Sequence, residues 1–203
     1  MGENKFMTYV RKFRLKEHSL GMAFIVLMII ATIVGWPNFL KVRNLTNILR
    51  QISYTGIIGL GMTLIIISGG IDLSVGSMTA FVGGISIFFL NRFGPDSTMG
   101  IVLTFLFALL LGSACGALNG VMVARFKMAP FIVTLGTMSI FRSLIQYFSN
   151  AGTILSVNMD YGKLGSSMFL GLPIPVWCFI IVGLVLHVLL NHTSFGRYLC
   201  ATG

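Results

Sequence analysis

The stretch that decides the fold runs from Thr55 to Leu90. It reads TGIIGLGMTLIIISGGIDLSVGSMTAFVGGISIFFL and carries a single charged residue, Asp72. A continuous helix over this stretch would extend about 54 Å, because each residue adds ~1.5 Å, whereas the hydrocarbon core of a membrane is about 30 Å thick. The stretch therefore predicts two apolar segments, residues 55–68 and 74–90, joined by a break.

The break is predicted at Gly69-Gly70, because glycine readily adopts the left-handed conformation in which helices end. Asp72 or Ser74 would cap the helix that follows, with Ser77 close by, and a carboxylate suits the positive end of a helix dipole. A carboxylate is costly in such apolar sequence. Asp72 is therefore either only a cap at an interfacial turn or also part of a polar path, and the break is either a surface turn or a re-entrant feature near residues 69–74.

The composition is that of an integral membrane protein, with 56% hydrophobic and 9% charged residues. The net charge is +9, but the basic residues are spread among apolar segments rather than gathered on one surface, which argues against nucleic-acid binding. Residues 1–19 hold five of the 14 lysines and arginines. They are predicted to form a cytoplasmic tail that contacts anionic membrane lipids.

Residues 20–203 are predicted to form an all-α, polytopic transmembrane bundle of about six spans. Besides the two central segments, apolar runs predict spans at 20–36, 99–124, 131–148 and 174–190. A short amphipathic helix over 38–54, capped by Asn44 or Thr46, is expected at the membrane interface. Because the segment 55–68 is only 14 residues long, the second span either begins within this amphipathic helix or does not cross the membrane fully. Residues 149–172 are expected to form a long polar loop.

Two features of the later spans concern helix packing and charge. Gly112, Gly116 and Gly120 recur at every fourth position, which predicts close packing of this helix against a neighbour. Arg142 lies near the far end of its span, where it would either extend to the interface or face a polar cavity.

The residues exclude several classes of function. We find no phosphate-binding glycine loop, no HExxH, no GxSxG and no paired carboxylates, so an enzyme is not expected. The cysteines Cys115, Cys178 and Cys200 lack metal-ligand spacing and are expected to be buried, so neither a metal site nor a disulfide is predicted. The scarcity of ionisable groups within the apolar runs also disfavours transport driven by an ion gradient. The remaining class of function is a passive pathway whose energy comes from another subunit.

Three blocks of sequence support that interpretation. They read NLTNILRQ (44–51), GIIGLGMTLIIISGGIDLSVGSMTAFVG (56–83) and GALNGVMVARFKMAPFIVTLGTM (116–138). In order and spacing they resemble the membrane permeases of bacterial ABC importers for ribose, xylose, galactose and related sugars, from about Asn44 to the last residue. The resemblance implies a permease subunit of the cytoplasmic (inner) membrane that forms the pathway for a ribose-like monosaccharide. The distribution of basic residues, eight on one side of the six spans and five on the other, predicts that the N-terminus lies inside.

The resemblance also implies partners and site residues. Such permeases pair as dimers, bind ATP-hydrolysing subunits on the cytoplasmic side and receive sugar from a periplasmic binding protein, so no cofactor is expected on the permease itself. The implied signature turn comprises Gly69, Gly70, Asp72, Ser74 and Gly76. The residues expected to line the substrate pathway are Asp72, Ser74, Ser77, Asn119 and Gln146, although turn caps and interhelical hydrogen bonds would explain the same side chains.

The sequence departs from the resembled permeases in two respects. Those permeases have roughly twice as many spans, so the alternative is a truncated or split permease that acts only as a membrane assembly partner. In addition, Phe141-Arg142-Ser143 stands where relatives commonly have a small residue before the arginine and a glycine after it, which concerns the packing of that span.

Overall fold

The computed structural model describes residues 15–203, so most of the predicted basic tail lies outside the described residues. The elements in chain order are α1 (Leu15–Val34), α2 (Val42–Ile67), α3 (Val75–Phe93), α4 (Thr98–Ala124), α5 (Pro130–Phe148), α6 (Met159–Leu164), β1 (Met168–Phe169), β2 (Leu172–Pro173), α7 (Ile174–His192) and α8 (Ser194–Thr202).

Helices α2, α3, α4, α5 and α7 are each long and apolar enough to cross a membrane, and Ser19–Val34 in α1 forms a shorter apolar helix. The predicted all-α, polytopic fold class is confirmed. The chain forms two compact units that meet between Leu49 and Arg50, within α2. The first unit contains α1 and the beginning of α2, and the second contains everything that follows.

The second span begins within the amphipathic helix, as one of the two alternatives predicted, because α2 runs without a break from Val42 to Ile67. A separate interfacial helix over 38–54 is not formed. No proline interrupts this stretch, and the glycines within it are tolerated inside a helix. The predicted caps Asn44 and Thr46 lie within α2. The Asn44 side chain donates to the Phe39 carbonyl at 2.8 Å, and the Thr46 hydroxyl donates to the Arg43 carbonyl at 3.0 Å.

In the second unit α3 packs extensively against both α4 and α5, which also contact each other. The Phe81 and Phe141 rings stack between α3 and α5 with centroids 5.5 Å apart. The Phe89 and Phe107 rings stack between α3 and α4 at 4.5 Å. Aromatic pairs at such distances add to the hydrophobic contact area, so α3 is the helix around which the other two are arranged.

The predicted close packing of α4 through its glycines is wrong for the described chain. A Cβ atom added at Gly112, Gly116 or Gly120 would have no other heavy atom within 4 Å, apart from the helix's own backbone. Spacing of small residues permits close approach of helices but does not require it. Space lies beside this face, and Gly116 and Gly120 line a cavity described below.

Residues 149–172 contain more regular structure than the predicted loop. They include α6 and the strand β1, which pairs with β2 in an antiparallel hairpin whose Phe169 lies opposite Leu172. Leu170 and Gly171 connect the two strands, both with positive φ, as two-residue hairpin turns often require. The indole of Trp177 in α7 donates to the Phe169 carbonyl at 2.9 Å and holds the hairpin against that helix.

Candidate functional site

The break between α2 and α3 begins with a glycine-terminated helix. Gly69 has φ +78°. The Gly70 N–H donates to the Ile65 carbonyl and the Gly69 N–H donates to the Ile66 carbonyl, both at 3.0 Å. This pair of hydrogen bonds is the Schellman arrangement, in which a left-handed residue closes a helix. The helix end predicted at Gly69-Gly70 is confirmed.

Asp72 organises the start of α3. Its Oδ1 accepts hydrogen bonds from the Ser74 backbone N–H at 2.7 Å and from the Ser74 hydroxyl at 2.6 Å. Ser74 occupies the N-cap position of α3, but its side chain makes no capping bond. Ser77 in the first turn donates to the Ser74 carbonyl at 2.9 Å. Of the two predicted caps, Asp72 therefore supplies the acceptor, and it does so through a local turn just before the helix.

Side chains from α4 and α5 form hydrogen bonds with residues of the break. The Asn119 Nδ2 of α4 donates to Ser74 Oγ at 2.9 Å, and Ser74 and Asn119 are 0% and 6% exposed. The Thr134 hydroxyl of α5 lies 3.3 Å from the Ile71 carbonyl and also donates to the Pro130 carbonyl at 2.9 Å. A chain of hydrogen bonds thus runs from Asn119 through Ser74 to Asp72, inside the helix bundle.

A cavity of about 350 Å³ lies beside this break, which we call the corner cavity. Its wall is mostly apolar, with a few polar side chains: Ser68, Asp72, Asn119 and Thr134. Among the described residues, Asp72 Oδ2 accepts no hydrogen bond, and the buried Oδ1 of Asn119 has no partner. Asp72 Oδ2 is therefore an acceptor that the corner cavity offers to a ligand that carries hydroxyl groups, whereas the buried Asn119 Oδ1 is enclosed by protein. In the described chain, no cluster of three metal-ligating side chains exists.

The structure separates the predicted pathway residues into two groups. Asp72, Ser74, Ser77 and Asn119 come together at the break, where the Ser74 and Ser77 hydroxyls are used in hydrogen bonds within the protein. Gln146 lies apart from them, because it is 12 residues beyond Thr134 on α5, about 18 Å along the helix.

The remaining signature and predicted residues lie as follows. Gly69 and Gly70 line the corner cavity, whereas Gly76 lies in the first turn of α3 with open space beside it. The expectation of buried cysteines holds for Cys115 only, since Cys178 and Cys200 are exposed. The role of Thr134 was not predicted, although it lies within the third resembling block.

A second cavity, of about 480 Å³, lies away from the break, near the starts of α4 and α7. It is largely apolar and is lined by rings that include Tyr54, Phe105 and Tyr161, together with the helix α6. Burial raises the pKa of the Tyr161 phenol above its ordinary value of 10.0. No sequence motif pointed to this cavity, because its walls come from four separate elements.

The apolar helices define an integral membrane protein. Its helix bundle contains a break between α2 and α3 that polar side chains hold in place. Residues 44–203 match the family described as "Branched-chain amino acid transport system / permease component", and the chain belongs to that family.

Several relatives that the chain matches are named as sugar permeases. It is 38% identical to the ribose import permease of Escherichia coli, over 96% of this chain and 60% of that protein. It is 37% identical to the ribose import permease of Bacillus subtilis, over 90% of this chain and 55% of that protein. It is 34% identical to the D-allose transport system permease of Escherichia coli, over 89% and 55%. The chain thus spans less than two thirds of these relatives. No solved structure matches it.

Proposed function

We propose that the chain forms part of the transmembrane pathway of an ATP-binding-cassette importer for a ribose-like monosaccharide in the bacterial inner membrane. The observation that carries this proposal is the corner cavity, which opens where a helix breaks inside the bundle. Irregular backbone is tolerated at membrane depth only where protein or water surrounds it. The names of the ribose and allose permeases support a sugar as the solute.

The chemistry of the corner cavity suits weak binding of a sugar that must then be released. A monosaccharide presents several hydroxyl donors, and Asp72 Oδ2 offers an acceptor that no described residue occupies. The volume of about 350 Å³ lies in the range of small-molecule sites, about 300–1,000 Å³. Because most of the wall is apolar, few hydrogen bonds form and the sugar leaves readily.

The energy for import would come from a partner. We propose an ATP-hydrolysing subunit on the cytoplasmic side, a periplasmic sugar-binding protein and a second permease copy. With the N-terminus inside, the five basic residues of the tail, Arg125, Lys127 and Arg197 fall on the cytoplasmic side together with the corner. Five basic residues fall on the outer side, so the distribution favours this orientation. Gly203, directly after α8, packs against Ile67 and Gly69, so a movement of α8 would reach the corner directly.

Uptake of radiolabelled ribose tests this proposal in cells that lack their own ribose permease and express the protein with its partner subunits. Asp72→Ala removes both the local turn and the free carboxylate oxygen, and we expect it to lower uptake at least tenfold. Asp160→Ala is the matched control, because Asp160 pairs only with exposed Lys163, at 2.8 Å, and it should leave uptake unchanged. Unchanged uptake with Asp72→Ala, at equal amounts in the membrane, would contradict a role in the pathway.

A third variant separates the two roles of Asp72. Asp72→Asn keeps the side-chain oxygen that accepts from Ser74 but removes the charge. Normal uptake with Asp72→Asn would assign Asp72 to the turn alone, whereas low uptake would assign its charge to the pathway. Co-purification of the ATP-hydrolysing subunit supports the permease function, since a fragment that served only membrane assembly would bring down other membrane subunits without that partner.

A further inference from the structure

Thr134 of α5 contacts the break through a hydroxyl that has more acceptors than protons. The Thr134 Oγ1 lies 2.9 Å from the Pro130 carbonyl and 3.4 Å from the Phe131 carbonyl, both in its own helix. It also lies 3.3 Å from the Ile71 carbonyl in the break. A hydroxyl donates a single proton and rotates to suit its partners. The Thr134 proton is therefore divided between its own helix and the break.

The two main acceptors differ in what remains when the Thr134 proton turns away. The Pro130 carbonyl lies four residues before Thr134 in α5, so helix geometry also supplies it with the Thr134 backbone N–H. The Ile71 carbonyl lies outside the helices, and among the described residues no backbone N–H and no other side chain donates to it. Loss of the Thr134 hydroxyl thus leaves only the Ile71 carbonyl without a donor.

Both residues of this contact line the corner cavity, and Thr134 is only 4% exposed. Ile71 directly precedes Asp72, whose Oδ2 accepts no hydrogen bond from the described residues. The Ile71 carbonyl is therefore a backbone acceptor next to a carboxylate, a pair that suits a solute rich in hydroxyl groups. Because Thr134 keeps the Pro130 carbonyl as an acceptor, its hydroxyl stays paired when a solute takes the Ile71 carbonyl.

We propose that Thr134 is a positioning residue for the break. Its hydroxyl holds the Ile71 carbonyl while the corner cavity is free of solute. A hydroxyl of the passing sugar then takes over that carbonyl, and the Thr134 proton turns to Pro130. The inference rests on the proposed function for the identity of the solute. Since one hydroxyl donor replaces another at the Ile71 carbonyl, this contact adds little to the affinity, and the sugar is released easily.

Binding of ribose to the assembled transporter in lipid nanodiscs tests the exchange, measured by saturation-transfer NMR without the periplasmic sugar-binding protein. Thr134→Val removes the hydroxyl with little change in shape, so the Ile71 carbonyl has no protein donor until a sugar arrives. A backbone carbonyl without a donor is costly away from water, and the bound sugar relieves this cost. We expect Thr134→Val to lower the dissociation constant at least threefold. Ribose uptake at saturating concentration should fall at least threefold, because release is slower.

Two further variants separate this positioning role from a purely structural one, which would lower uptake without tightening ribose binding. Thr134→Ser keeps the hydroxyl and should rescue both the affinity and the uptake of the unaltered protein. Thr137→Val is the matched control. Thr137 lies one turn further along α5, is 5% exposed and donates only to carbonyls of its own helix, at 3.1 and 3.4 Å. Unchanged or weaker ribose binding by Thr134→Val, or equal tightening in Thr137→Val, would overturn the exchange.

Amide hydrogen exchange over residues 70–74, measured without sugar, tests the positioning role independently of the solute. Thr134→Val lacks the hydrogen bond between α5 and the break, so exchange there should be at least threefold faster than in the unaltered protein or in Thr137→Val. Equal exchange in all three proteins would overturn the role of Thr134. If exchange quickens as expected but even the unaltered protein binds no ribose, the positioning role is supported and the proposed solute is wrong.

Discussion

Asn119 in the last part of α4 and Ser74 at the start of α3 are joined by a hydrogen bond of 2.9 Å, although 45 residues separate them in the sequence. The Ser74 hydroxyl in turn donates a hydrogen bond to Asp72 Oδ1. The broken helix is thus fixed not only by its local turn but also by a neighbouring span. A change in the position of α4 would therefore change the geometry of the corner cavity, which Asn119 also lines.

Replacement of Asn119 tests this hydrogen bond. Asn119→Leu keeps the size of the side chain but removes the donor to Ser74. We expect a loss of about 0.6 kcal/mol in the free energy of unfolding, with ~1.7 kcal/mol as the upper end for hydrogen bonds between membrane helices. Thermal unfolding in detergent measures the change. Leu118→Ile serves as the control, because Leu118 is exposed. Equal stability of Asn119→Leu and the unaltered protein would show that the bond does not hold the corner.

Gly69 adopts a backbone conformation that favours glycine. Its φ of +78° costs an alanine about 1–2 kcal/mol, although its surroundings leave room for a Cβ atom. Gly76, in the same signature turn, has open space and an ordinary helical backbone. We expect Gly69→Ala to lower the unfolding temperature and Gly76→Ala to leave it unchanged or raise it slightly. A similar loss in both variants would refute the assignment of the effect to positive φ.

The corner was predictable because its signals are local. Gly69-Gly70 and Asp72 lie within four residues, and the chemistry of helix ends links such neighbours directly. The sequence also placed Asn119 among the residues of interest, but it contained no information that Asn119 bonds to Ser74, since a contact across two helices depends on how they pack. For the same reason Gln146 was grouped with the corner, although it lies far along α5.

The errors in the predicted fold have physical causes too. The amphipathic pattern before Tyr54 and the apolar run after it differ in composition, yet nothing between them stops a helix, so they join in α2. The glycines of α4 indicated where a neighbour was allowed to approach, not that one does. The hairpin around Gly171 was not predicted, because strands of two residues are too short to show an alternation of apolar and polar residues.

Packing between α3 and α5 depends on a different glycine. A Cβ atom at Gly84 would contact the end of the Ile145 side chain and lie 2.8 Å from Ile154 Cδ1, whereas one at Gly83 would meet nothing within 4 Å. We expect Gly84→Ala to lower the free energy of unfolding by about 1 kcal/mol, the low end for overpacking, because the ends of isoleucine side chains yield. Gly83→Ala should be neutral. Thermal unfolding of the pair measures the difference, and equal stabilities would show that α5 adjusts without cost.

Asn91 at the end of α3 fixes the segment that follows α5. Its Nδ2 donates to the Leu155 carbonyl at 2.9 Å and its Oδ1 accepts from the Val157 N–H at 3.0 Å, so one side chain occupies two backbone groups. Asn91→Ala removes both bonds, each about 0.5–1.5 kcal/mol. We expect amide hydrogen exchange over residues 153–158 to quicken about tenfold, as a change of ~1.4 kcal/mol in local opening implies.

The neighbouring residue provides the control for Asn91. Arg92 is exposed, and its guanidinium lies over the Phe93 ring at 5.9 Å without contact to residues 153–158, so Arg92→Ala should leave exchange there unchanged. Asn91→Asp separates the two bonds, because aspartate still accepts from the Val157 N–H but no longer donates to Leu155. Its exchange should therefore fall between that of the unaltered protein and that of Asn91→Ala. If Asn91→Ala exchanges no faster than Arg92→Ala, the segment is held by its apolar contacts and not by Asn91.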